Sequence, residues 1–583
     1  MSAHNPKVFG ELTSLSSPSV PFTTAGLKPE LFTGSHAFTI PRALLVLALT
    51  VLVIAGAALR INGLSSEGLS EDELNKLNAV SEYRTQGLTS ANGEHPLLMK
   101  AILTVSVIVA EQWNQSSLVR SHSELNVPVE SSLRVPGALF GAFVSVLIFL
   151  VATELFGAEI GLIAAALWAF DPLAIGLNRI AKEDTFLIFF FLLANYFWLR
   201  GQRAAESEPE KNAERYYWLT AVAFGAMLAS KYVPLLIGIP VSYNYTFQKI
   251  PVTRWVIGKK RFIKFFLVMG VAFVIFNPTI LLPDTWRAMM RFSTNRMIGH
   301  DSYEFMGRLF PHKFSDWFHG EPWYFYLELI GTKLPVLPLA GFIGGLFLLF
   351  RSRTGDGRYF LLIWFAIWSL GFMAPGGKFA RYILSILPAV LIVSALGIQF
   401  LARWLARLAA TLSGSDAIKA YAAAALPAVV ILFSFWSSVS AGPHFRLHVN
   451  ALAAQKITGG EMFPQDEFYD AYMQELMSEV AKRARPGARV AGEIPTVAAY
   501  YAKRSSRPDL VNVELSDPAE VAQLQPGDFV IDARGRTYFS NQAMLQRLRQ
   551  NAQPAFSVSV GSVPAANIYV LDQKSLAALR GEY

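Results

Sequence analysis

The chain contains no cysteine. This excludes a disulfide framework and any thiolate metal site, and it leaves the compartment unread from cysteine usage. Charge is scarce as well: Asp, Glu, Lys and Arg make up 16% of the 583 residues, where soluble domains carry about a quarter. No Gly-rich phosphate loop of any strength is present, and no internal repeat. A cleavable leader is also missing. About forty residues rich in Ser, Thr, Pro and Gly precede the first apolar run. They predict a disordered cytoplasmic tail over 1–42, with that run serving as an uncleaved anchor.

Apolar residues take the place of charge, with 53% hydrophobic and 13% aromatic residues. Runs such as "ALLVLALTVLVIAGAAL", "LFGAFVSVLIFLVATELF", "FLIFFFLLANYFW" and "ILSILPAVLIVSALGIQFLA" approach the ~20 residues needed to cross a bilayer. Hydropathy predicts roughly eleven spans: 43–60, 135–155, 158–177, 183–200, 216–230, 233–248, 264–283, 335–351, 359–374, 382–402 and 420–440. Segment 97–111 is shorter and carries Lys100, which reads as interfacial or re-entrant. Basic loops ("QKIPVTRWVIGKKRFIK", "RGQRAAESEPEKNAER", "RSRTGDGR", "RWLARLAATLSGSDAIK") fall on one side if spans alternate. That side is then cytoplasmic, with the N-terminus inside and the C-terminus outside. The net charge of +8 is thereby a topology signal rather than a nucleic-acid footprint.

Beyond residue 441 the pattern changes. "ARVAGEIP", "DLVNVEL", "GDFVIDAR", "AFSVSV" and "NIYVLD" read as strands, alternating with helical stretches such as "FYDAYMQELMSEVAKRA" and "SNQAMLQRLRQ". The predicted architecture is an all-α polytopic membrane bundle over 43–440, followed by a small extracytoplasmic α/β domain over 441–583.

Ionisable residues at membrane edges are costly and default to a functional hypothesis. Here they gather in the outer loops 61–134 and 284–334 and in the short outer connections. They are Glu71, Asp72 and Glu73; Glu94, His95 and Arg134; Arg179, Lys182, Glu183 and Asp184; Lys231; Arg291, His300 and Asp301; and Lys378 and Arg381. A one-sided cluster suits an amphiphilic substrate whose phosphate meets cations while its hydrocarbon tail lies between spans. A transporter should place such groups nearer the midplane. Each residue also has a structural alternative. Arg134 or Lys231 can be a snorkelling span-end residue, Arg179 with Asp184 a helix-end pair, and His95 a cap. Ser70 with Glu73 forms a capping box that would start a helix through "EDELNKLNAVSEYR". An acid in its first turn meets the positive end of the helix dipole, which favours the ionised form.

In order along the chain, the Asp72–Glu73 pair, "EHPLLMK", "LRVPGALFG", "NRIAKEDTFLIFFF", "GAMLASKY", "GEPWYFYLELIGTKLP" and "KFARYILSILP" follow a family pattern. Over about 43–402 the chain resembles the C-type membrane glycosyltransferases that use polyprenyl-phosphate sugars. Within these it is most similar to the protein O-mannosyltransferases and the lipid A aminoarabinose transferases. It departs from the pattern at Leu97, where a second proline is usual, and at Asn178, where serine is common.

The resemblance implies a bacterial inner-membrane enzyme that transfers a sugar, with inversion, from a polyprenyl-phosphate donor to a hydroxyl acceptor (protein Ser/Thr, lipid A or another glycan). Asp72 is then the expected base, with Glu73 second and Glu71 third. Arg134, Arg179, Lys231, Lys378 and Arg381 form the pool for the donor phosphate. Glu94, His95 and Asp184 support the site, and His300 lines the acceptor side. A divalent ion (Mg, Mn or Zn) is compatible with these residues, but no ligand spacing demands one. The rival classes are a lipid or solute transporter and a non-catalytic membrane assembly protein.

Overall fold

The structure, a computed structural model, describes residues 41–207, 210–247, 259–294, 300–414 and 416–582. The tail expected over 1–42 lies almost wholly outside them, as does most of the basic stretch 248–264. Among the described residues five helices are long and apolar enough to cross a membrane: Arg42–Ile61, Leu97–Asn114, Val129–Phe156, Leu387–Leu412 and Tyr421–Ala441. A sixth arises if Ala158–Ala169 and Pro172–Asn178, bent by 61°, count as one span. Pro234–Tyr243, Phe262–Phe276, Val336–Leu349 and Gly357–Phe372 are shorter apolar helices.

Leu97–Asn114, read from the sequence as interfacial or re-entrant, is 18 residues long and has the length and composition of a span. Lys100 sits in its first turn, where the ammonium donates to the carbonyls of Ala91, Asn92 and His95 at 2.8–3.0 Å. The charge thus leaves the apolar body of the helix untouched.

Val129–Phe156 packs against Arg42–Ile61, Leu97–Asn114, Ala158–Ala169 and Glu183–Ser207. Its core includes Ile148, Trp168, Phe191, Trp364 and Leu391, all fully buried. Arg42–Ile61 instead leaves Leu44, Leu47, Val51 and Ile54 more than half exposed, an apolar face suited to lipid. Val336–Leu349 lies along Leu387–Ser413 on small residues. A Cβ at Gly345 would run into the Val393 carbonyl, and one at Gly397 into the Gly341 carbonyl. Such close backbone approach is how helices associate where apolar burial gives no preference.

The 61° bend has a local cause. Pro172 cannot donate a backbone hydrogen bond, and Asp171 caps the new helix by accepting from Ala174 N at 2.7 Å. The redirected segment brings Arg179, Lys182, Glu183 and Asp184 to one end of the bundle.

Beyond the bundle, β1 (Ser302–Phe305) and β2 (Arg308–Pro311) form a hairpin. All five stretches read as strands after 441 fold as such: β3 (Arg489–Gly492), β4 (Val511–Glu514), β5 (Phe529–Ala533), β6 (Phe556–Val560) and β7 (Val563–Val570). They form one mixed sheet in the order β4-β3-β5-β7-β6, with β3 parallel to β4 and β5 and the other pairs antiparallel. The sheet shares a core with the helix Glu71–Gln86. Leu69, Leu74, Met99, Leu133 and Phe186 pack in one cluster with Phe468, Leu476, Val490, Tyr501 and Ile531.

The stretch "FYDAYMQELMSEVAKRA", expected as one helix, is broken. Pro464–Phe468 ends at Tyr469 and Asp470, both left-handed (φ 47° and 60°), and a new helix runs Met473–Arg483. Two adjacent non-glycine residues in that region are strained, and surrounding contacts must hold them there.

Candidate active site

Helix Glu71–Gln86 begins with the capping box read from the sequence. Ser70 Oγ accepts from Glu73 N at 3.2 Å, and Glu73 Oε2 accepts from Ser70 N at 3.1 Å. Glu73 also takes a two-pronged contact from Arg134, at 2.7 and 2.6 Å, and a bond from Ala181 N at 3.0 Å. Its carboxylate is buried and fully engaged. Despite burial, the Arg134 guanidinium and these hydrogen bonds hold its carboxyl below the usual range.

Asp72, one residue earlier, is placed differently. Its side chain is 34% exposed, with Lys182 Nζ 2.9 Å from Oδ1 and Arg381 Nη2 3.9 Å from Oδ2. Tyr469 donates its hydroxyl to Oδ2 at 2.7 Å. Burial pulls this carboxyl upward, but Lys182, Arg381, Lys76 and the Tyr469 hydroxyl together hold it well below the ordinary carboxylate range. Asp72 is therefore an ionised, partly open carboxylate between two buried cations. The strained turn at Tyr469 and Asp470 delivers the phenol, and Asp470 is itself fixed by Arg536 at 2.9 and 2.5 Å and by Glu71 N at 3.2 Å.

The five cations expected to bind phosphate separate into two groups. Arg134 is saturated: besides Glu73 it donates to the carbonyls of Leu64, Glu67 and Gly68 at 2.7–2.8 Å. Arg179 spends its guanidinium on Asn62 and Gly63 carbonyls, at 2.5 and 2.7 Å, closing the end of helix Arg42–Ile61. Lys378 donates to the Glu321 carbonyl at 2.7 Å and to that of Pro375, away from Asp72, and burial brings it down to about 8. These three hold the fold together.

Lys231 and Arg381 remain with Asp72. Lys231 lies 2.5 Å from Asp184 and 4.4 Å from the centre of the Tyr382 ring. Arg381 lies over the Phe379 ring at 3.8 Å, and its nearest carboxylates, on Asp72, Asp184 and Asp466, stand at 3.8–3.9 Å. Its buried Nε has no hydrogen-bond partner among the described residues. A guanidinium ringed by acids but bonded to none has donors to spare for an anion.

Behind Lys182 lies a buried charge network. Glu183 stands 2.8 Å from Lys76, 3.6 Å from His95 and 3.6 Å from Lys182. Burial, only partly offset by Glu183, pushes His95 well below its usual value, so its ring is neutral. Glu94 accepts from Asn92 instead of joining Asp72. His300 stacks on Tyr538 at 4.0 Å and stands 3.9 Å from Glu71 and 3.1 Å from Arg536. It thus borders the site on the side of the C-terminal sheet. Among the described residues no three His, Asp or Glu side chains converge as a metal-holding group.

Sequence reasoning underweighted Lys182, which was grouped with Arg179 rather than with the phosphate pool, and passed over Tyr469, Asp466 and Arg536. The signal for Tyr469 and Asp466 was the dense alternation of acids and aromatics in "FPQDEFYDAY" after the bundle; Arg536 lies far from that stretch in sequence.

The helices define an integral membrane protein. Residues 119–281 match the family model described as dolichyl-phosphate-mannose-protein mannosyltransferase, which bears out the resemblance to the C-type glycosyltransferases over that segment. Among solved structures, the chain is similar to ArnT from Cupriavidus metallidurans bound to undecaprenyl phosphate (14% identity, TM-score 0.47, covering 91% of this chain and 98% of that one). It is also similar to the apo oligosaccharyltransferase of Archaeoglobus fulgidus (11%, 0.49, 84% and 70%). A partial likeness exists to the S. cerevisiae Pmt1-Pmt2 complex bound to the sugar donor (18%, 0.30, 45% and 35%). No curated protein matches the chain.

Proposed function

We propose that this protein transfers a sugar, with inversion, from a polyprenyl-phosphate donor to a hydroxyl acceptor, and that Asp72 is the base. One observation carries the reading: a 34% exposed carboxylate, held ionised, faces Lys182 at 2.9 Å and the under-bonded Arg381 at 3.9 Å. The acceptor oxygen attacks the anomeric carbon as the bond from that carbon to the phosphate oxygen breaks. The hydroxyl proton passes to Asp72, and the leaving phosphate keeps the electron pair. Cations can stabilise that phosphate without a general acid. Arg381, Lys182 and Lys231 are the groups within reach of it, and Asp184 orients Lys231 and Arg381 between them. A single base suffices for inversion by direct displacement.

A carboxyl this acidic is a weak base in the free protein. The donor phosphate relieves that by drawing Lys182 and Arg381 toward itself, which raises the proton affinity of Asp72 when the acceptor is in place. In this reading the membrane part comprises eleven spans, the basic loops are cytoplasmic, and the site and the C-terminal sheet lie on the outer face of a bacterial inner membrane. No step passes through a metal ion.

The test is direct. Purified protein in lipid is offered a panel of polyprenyl-phosphate sugars with cell-envelope glycans, lipid A and Ser/Thr peptides as acceptors, and product is followed by mass. Transfer from at least one donor is expected. Absence of transfer across the panel, together with solute or lipid flux in liposomes, would replace this reading with a transporter.

A further inference from the structure

A cavity of about 580 Å³ lies away from Asp72, between the β1–β2 hairpin and the C-terminal sheet. That falls within the roughly 300–1,000 Å³ of small-molecule sites. One wall is the helix Gln542–Asn551, which turns Gln542, Gln546 and Arg549 toward the cavity while Leu545 and Leu548 are buried behind. Glu304 from the hairpin and Arg534, just past the end of β5, face it from other sides, and the exposed Pro564 of β7 adds a small apolar surface.

The state of these groups points to the ligand. Asp532 and Arg549 are paired with each other at 2.6 and 2.8 Å. By contrast, Arg534, Gln542 and Gln546 are solvent-exposed and Glu304 is half-buried. The cavity thus offers accessible donors (Arg534 and the two amides) and accessible acceptors (Glu304 and the same amides) side by side. Two carboxylates, Glu304 and Asp532, balance two guanidiniums, Arg534 and Arg549. A strongly anionic ligand would meet the acids, a cation would meet the arginines, and an apolar one would leave every polar group unpaired. A ligand whose every hydroxyl both donates and accepts, and whose C–H faces can rest on Pro564, matches this lining.

We propose that this cavity is a binding site for a neutral oligosaccharide. Its position suggests what that saccharide is. Gly535, in the left-handed region (φ 76°), turns the chain so that Arg534 serves the cavity. Arg536, two residues on, contacts His300 and Glu71 beside Asp72. The saccharide is then the part of a glycan acceptor lying beyond the reacting hydroxyl. This last step rests on the proposed glycosyl transfer; the binding itself does not.

The test is equilibrium binding of full-length protein in nanodiscs to an array of neutral oligosaccharides, with charged glycans and peptides alongside. Wild-type protein is expected to retain a subset of the neutral saccharides. Arg534→Ala and Gln546→Ala should each weaken that binding on the order of tenfold, the worth of one good hydrogen bond to a ligand. Failure of any neutral saccharide to bind, retention of peptides or charged glycans instead, or undiminished binding by both cavity variants would overturn the proposal. Saccharide binding without sugar transfer from any donor would sustain the cavity and sink the enzyme reading.

Discussion

Asp72 and Glu73 are adjacent acids in one helical turn, and the structure predicts opposite consequences for neutralising them. Glu73→Gln removes the charge from a buried pair in which Arg134 makes two contacts of 2.6–2.7 Å and Ala181 N a third of 3.0 Å. The guanidinium stays where it is, bonded to carbonyls but no longer neutralised. Breaking one side of a buried pair in this way costs about 3–5 kcal/mol. Asp72→Asn removes a carboxylate that is 34% exposed, between cations drawn close to it. Its loss leaves neither buried cation without a carboxylate, since Lys182 keeps Glu183 at 3.6 Å and Arg381 keeps Asp184 and Asp466 at 3.8 and 3.9 Å, and the asparagine oxygen can still accept from Tyr469, so the expected cost is about 1 kcal/mol or less. Thermal unfolding in detergent should therefore show a clear fall for Glu73→Gln and little change for Asp72→Asn. Sugar transfer at matched folded protein should show the reverse: loss of the base costs about 10²–10⁴-fold for Asp72→Asn, while the folded fraction of Glu73→Gln retains its rate. A stable Glu73→Gln, or wild-type transfer by Asp72→Asn, would refute the division of labour.

Replacing Arg381 by Lys keeps the charge but loses the planar fork; donor-dependent kcat/KM should fall about 10²–10³-fold, as for removal of one preorganised donor, with Arg179→Lys losing stability first. Because the folded Asp72 is more acidic than an unfolded aspartate (about 3.9), the stability it contributes is fully present above that value and is lost only as pH falls through the lower folded value. The profile of kcat/KM should accordingly show no acidic limb assignable to Asp72 between pH 7 and 5, and a limb in that range that vanishes in Asp72→Glu would contradict the geometry. Glu183→Gln should act through Lys182: without the acid behind it, Lys182 leans more on Asp72, so donor KM rises more than kcat falls, a split that a purely structural role would not give. Gly345→Val should destabilise the seam between Val336–Leu349 and Leu387–Ser413 by about 1–3 kcal/mol, read as a lower unfolding temperature.

Much of this was legible in the sequence, for physical reasons. Apolar runs and basic loops report the membrane because both follow from transfer energies that act residue by residue. Ser70 and Glu73 announce their cap because the partners are three positions apart. The strands after 441 alternate as their faces require. What composition could not give was which cation stays free. Arg134, Arg179, Lys378 and Arg381 are equivalent as letters. Only the path of the backbone sets carbonyls of residues 62–68 against the first two and those near Glu321 against the third, leaving Arg381 among acids too distant to bond it. The break at Tyr469–Asp470 escaped for a related reason. The local pattern favours a continuous helix, and the contacts that overrule it come from Asp72, Glu71 and Arg536, remote in sequence.

The Tyr469 hydroxyl reaches Asp72 across 397 residues of chain. A ribosome that has inserted the whole membrane bundle has therefore still not made the group that completes the site. The growing polypeptide carries its carboxylate, its lysine and its arginine in the bilayer edge without the phenol that fixes them, until the segment after the last membrane helix emerges and folds back. On the proposed function, competence for chemistry then waits until residue 469 has been made. A product terminated before it would also lack the C-terminal side of the core shared with Glu71–Gln86.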